Sequence, residues 1–125
     1  GEGFTCVLDK DQRALCVGDN SLPSEETGRL GSGSTAQLSS AFAELIDGDS
    51  GEPLSSEGVG LVAISLGGAH GCAISASGKV VCFGDGRQGQ LGDAATAIRN
   101  AAVEASGGSF SALRSCPEVY NLIPF

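Results

Sequence analysis

An internal repeat constrains this chain more than any other feature. Residues 1–19, GEGFTCVLDKDQRALCVGD, align without a gap with residues 67–85, GGAHGCAISASGKVVCFGD. Identities fall at Gly1/Gly67, Cys6/Cys72, Cys16/Cys82, Gly18/Gly84 and Asp19/Asp85, and several other positions exchange one apolar residue for another. After a short insertion in the first copy, Gly28–Gly31 (GRLG) stands opposite Gly89–Gly92 (GQLG). A third, decayed start follows at Gly107–Leu113 (GGSFSAL), with Phe110 in the place of His70 and Ala112 in that of Cys72. Repetition on this scale means stacked supersecondary units, each relying on its neighbour to bury an apolar face.

Each copy reads as β-structure. Val62, Ile64 and Leu66 alternate as a half-buried strand, which Gly67-Gly68 interrupts. A hairpin follows, with Cys72 and Ile74 on one arm, Val80 and Cys82 on the other, and Gly78 at a left-handed turn position. Asp9–Gln12 makes the corresponding turn in the first copy. Both hairpins carry a cysteine on each arm, with nine residues between the two. Directly opposed antiparallel positions hold Cα atoms roughly 4.5–5.5 Å apart, within reach of a disulfide. Bridges Cys6–Cys16 and Cys72–Cys82 are therefore feasible, with buried free thiols as the alternative. Bridging would add about 3 kcal/mol per loop on a chain-entropy argument and would point to an oxidising compartment: secreted, periplasmic or an organelle lumen. The spacing is wrong for zinc, no Cys-x-x-Cys exists, and Cys116 has no partner by spacing.

Between the copies the pattern predicts a helix over residues 34–47. Ser34 and Gln37 suit a capping box, Leu38, Ala41, Phe42, Leu45 and Ile46 fall at helical spacing, and Gly48 supplies a stop. Phe42 then belongs to the core. Asp49–Gly58 reads as an exposed acidic loop, Asp93–Asn100 as a weaker second helix, and Ala102–Ala105 as strand. The stretch from Asp47 departs from a calcium loop, with Glu52 at the position that needs glycine and Gly58 at the position that needs a bidentate glutamate.

Composition narrows the function. With 20 Gly, 5 Phe, 1 Tyr and no Trp, the core is thin. The net charge of −8 comes entirely from residues 1–60, which hold 11 acidic and 3 basic side chains, and it disfavours nucleic acid and anionic membranes as direct ligands. No apolar run reaches the roughly 18 residues of a membrane span, and the absence of methionine suggests a processed chain or a portion of a longer one. His70 is the lone histidine and has no nucleophile pattern near it, so neither catalytic residues nor a cofactor are expected, and any small-molecule ligand is unknown.

Val62–Gly92 reads V-x-I-x-x-G-x-x-H-x-C-A-I, then G-K-V-V-C-F-G, then G-Q-L-G, and resembles one repeat of the regulator-of-chromosome-condensation family. His70, Gly78, Gly84, Gly89, Gln90, Leu91 and Gly92 occupy motif positions, with Phe83 where that family has tryptophan. Residues 1–31 resemble the motif more loosely: Phe4 replaces the histidine, Gln12 the turn glycine, Val17 the aromatic residue and Arg29 the glutamine. The resemblance implies a mainly β fold, a partial β-propeller of about two blades built from antiparallel hairpins, with the helix at 34–47 inserted. It divides the chain into a first repeat (1–31), a helix and acidic loop (32–58), a second repeat (59–93), and a decayed third start with an apolar tail (94–125). It implies a structural role for His70, hydrogen-bonded to a neighbouring strand. It also implies a non-catalytic interaction or scaffold subunit whose partners are other protein chains of an assembly. The tail residues Val119, Tyr120, Leu122, Ile123 and Phe125, set around Pro117 and Pro124, are expected to dock on a partner. Alternatives are a secreted or lumenal binding fragment of a longer propeller, or guanine-nucleotide exchange.

Overall fold

The computed structural model describes residues 1–22 and 26–105. The third repeat start, Cys116 and the tail residues Val119, Tyr120, Leu122, Ile123 and Phe125 lie outside the described residues.

The described chain is mainly β, with seven strands in two antiparallel sheets. The first sheet runs in the order β1 (Phe4–Leu8), β2 (Ala14–Asp19), β3 (Leu38–Glu44). The second runs β4 (Leu61–Leu66), β5 (His70–Ser75), β6 (Val80–Gly84), β7 (Arg99–Glu104). The sequence repeat is a repeat of register. Cys6 faces Cys16 and Leu8 faces Ala14, as Cys72 faces Cys82 and Ile74 faces Val80. The correspondence continues across an irregularity after Cys16 and another after Cys82: β2 pairs Cys16 with Ala43 and Gly18 with Ser39, and β6 pairs Cys82 with Val103 and Gly84 with Arg99. Strands β1, β2 and β3 are thus the counterparts of β5, β6 and β7.

The helix expected over 34–47 is not formed, because β3 occupies that stretch. Helical spacing alone offered no neighbour to bury its stripe, whereas pairing with β2 satisfies a whole row of backbone groups that would otherwise edge the sheet. Ser34 makes a local turn, its Oγ accepting from the Ala36 amide at 3.1 Å. Phe42 is 52% exposed, and of the proposed stripe only Leu45 is fully buried. The weaker helix at Asp93–Asn100 is also absent; that segment leads into β7. Asp49–Gly58 is exposed except around a 3-10 turn at Leu54–Glu57, which buries Leu54. In β4 a bulge between Leu61 and Ala63 shifts the alternation, so Leu61 is buried and Val62 is 49% exposed.

One apolar cluster joins the sheets. Phe4, Ala14 and Cys16 come from the first, Leu61, Ala73, Val81 and Phe83 from the second, and Leu30, Leu45 and Leu54 from the connections. Backbone bonds stitch the halves together: Leu61 N–H to Gln12 O at 2.9 Å, Gly33 N–H to Asn100 O at 2.6 Å, and Ala102 N–H to Ile46 O at 2.8 Å. Gly31 (φ +65) allows a close approach, since an added Cβ would lie 2.7 Å from both Leu45 and Phe83.

Candidate functional site

The two hairpins are built alike down to the atom. Asp9 N–H donates to Arg13 O, and Ser75 N–H to Lys79 O, which marks these as hydrogen-bonded pairs. Alternation along the ladder then places each cysteine pair at a non-hydrogen-bonded position, where opposed side chains stand closest. The sulfurs lie 2.02 Å apart in Cys6–Cys16 and 2.17 Å apart in Cys72–Cys82, both with Cα atoms 4.1 Å apart. Gly78 (φ +89) and its counterpart Gln12 (φ +62) both turn left-handed. The ring of His70 lies over Gly67, and the ring of Phe4 lies over Gly1 in the same way. Gly89 and Gly92 have positive φ, Leu91 between them is buried, and Gln90 Oε1 accepts from the Gln88 amide.

Gly18 (φ +116) and Gly84 (φ +99) end equivalent strands under the same constraint. A Cβ would stand 2.5 Å from Gly3 O in one and 2.5 Å from Ala69 O in the other. The aspartate that follows each closes a turn: Asp19 Oδ1 accepts from Ser21 N–H and Asp85 Oδ1 from Arg87 N–H. The Ser21 hydroxyl and amide hold the Asp19 carboxyl below its ordinary value, and the Arg87 guanidinium does so for Asp85 against an opposing effect of burial.

The surface most informative about binding follows from comparing equivalent faces. Cys6, Leu8, Ala14 and Cys16 share the face of the first sheet that packs into the common core. Their counterparts Cys72, Ile74, Val80 and Cys82 lie on the face of the second sheet that points away from it. There Ala63, Ser65, Cys72, Ile74 and Val80 line an open, largely apolar groove. At the other end, Val7, Leu15 and Val17 are the counterparts of Ala73, Val81 and Phe83. Phe83 is fully buried against the first sheet, whereas Val7 is 40% exposed and half-exposed Phe42 lies on the neighbouring strand. Among the described residues, the two ends of the body are therefore open copies of the two halves of the internal interface.

Elsewhere, a depression between Asp47, Asp49, Lys79, Asp93, Arg99 and Glu104 is charged, and its cations face its acids: Arg99–Asp93 at 2.8 Å and Lys79–Glu104 at 3.6 Å. Among the described residues no group of three or more His, Cys, Asp or Glu side chains is placed to hold a metal ion. No described helix is long and apolar enough to cross a membrane.

Sequence reasoning missed Asn20. It is 1% exposed, its Nδ2 donates to Ser34 O and Ala36 O, and its Oδ1 accepts from Leu30 N–H. This one side chain fixes the path of the connection from β2 to β3. The signal available was a polar residue just after the Gly-Asp pair in the first copy, where the second copy has Gly86.

Residues 61–90 match the family model described as the regulator of chromosome condensation (RCC1) repeat. No curated protein matches the sequence. Among solved structures, the crystal structure of human WBSCR16 is similar, with a TM-score of 0.66 and 18% identity over 86% of this chain. The alignment spans 25% of that structure's length, so the chain corresponds to about a quarter of it. Register, family match and structural likeness together make residues 61–90 a repeat of the regulator-of-chromosome-condensation type, set in a partial, propeller-like β fold.

Proposed function

We propose that the chain is a non-catalytic protein-binding module, a scaffold or accessory subunit that works with both open sheet faces covered by other polypeptides. One observation carries this reading: the groove over Cys72, Ile74 and Val80 is the counterpart of a face that the chain itself covers in its first repeat. Apolar sheet faces on soluble proteins are interaction sites far more often than solvent-facing surfaces. The two cysteine pairs at bonding distance favour work in an oxidising compartment, secreted, periplasmic or lumenal.

A photo-crosslinking amino acid placed at Val80, and separately at Val7, tests the reading in the native setting. Both positions should crosslink to polypeptide, while one at exposed Glu57 should not. Equal, background-level labelling at all three would contradict it.

A further inference from the structure

We draw no further inference here: the strongest candidate, the charged depression between residues 47–49 and strands β6 and β7, carries nothing because its cations already face its own acids, Arg99 on Asp93 and Lys79 on Glu104, and among the described residues no unpartnered buried group points into it.

Discussion

At Gly84 and Gly18 a left-handed backbone coincides with a neighbouring carbonyl oxygen 2.5 Å from where a Cβ would sit, while Gly51 and Gly89 share the positive φ with nothing within 4 Å. The pair of classes separates conformational strain from steric exclusion. Gly89→Ala should cost about 1 kcal/mol, the left-handed penalty alone. Gly84→Ala and Gly18→Ala should cost about 3 kcal/mol or more in urea unfolding, because strand ends must also separate. Asn20→Ala strips Leu30 N–H and two carbonyls of their buried partner and should cost about 3 kcal/mol. Asp85 adds a pH signature. A carboxyl whose folded pKa is lowered contributes stability that is complete above its unfolded value near 4 and disappears as pH falls through the folded value. Asp85→Asn should therefore melt below the parent at neutral pH, with the gap closing as pH falls through the lowered folded value of the Asp85 carboxyl.

Among the elements, β3 is the instructive case. Its Phe42 is half exposed, so Phe42→Ala should cost less than about 1 kcal/mol, whereas Phe83→Ala, at a fully buried position, should cost about 3–5 kcal/mol. The hairpins were legible because their information is local: two cysteines at matched spacing, a left-handed turn, alternating apolar residues. Strand β3 was not, since Leu38, Ala41, Phe42 and Leu45 fit a helical stripe as well as an edge strand, and the deciding partner, β2, is distant in sequence. The Val62 phase error has the same origin, because a bulge is a property of the pair and not of one strand. Unreduced protein should show no alkylatable thiols at Cys6, Cys16, Cys72 or Cys82, and reduction should lower stability by about 3 kcal/mol per bridge.

At the scale of the whole molecule, the described residues form two sheets stacked once, with β1–β3 equivalent to β5–β7 and, among those residues, both halves of that stacking interface open at its ends. Ala14 and Val80 occupy the same position in the two repeats, facing Leu8 and Ile74 across their hairpins. Ala14 is fully buried within the shared core, and Val80 lines the open groove. The most direct test is the unfolding free energy of Ala14→Asp against that of Val80→Asp in the full-length protein. A charge at Ala14 should cost about 4 kcal/mol or prevent folding, while the same charge at Val80 should cost about 1 kcal/mol or less. Equal losses at the two sites would contradict the account, since they would mean that the second face is already buried within the chain.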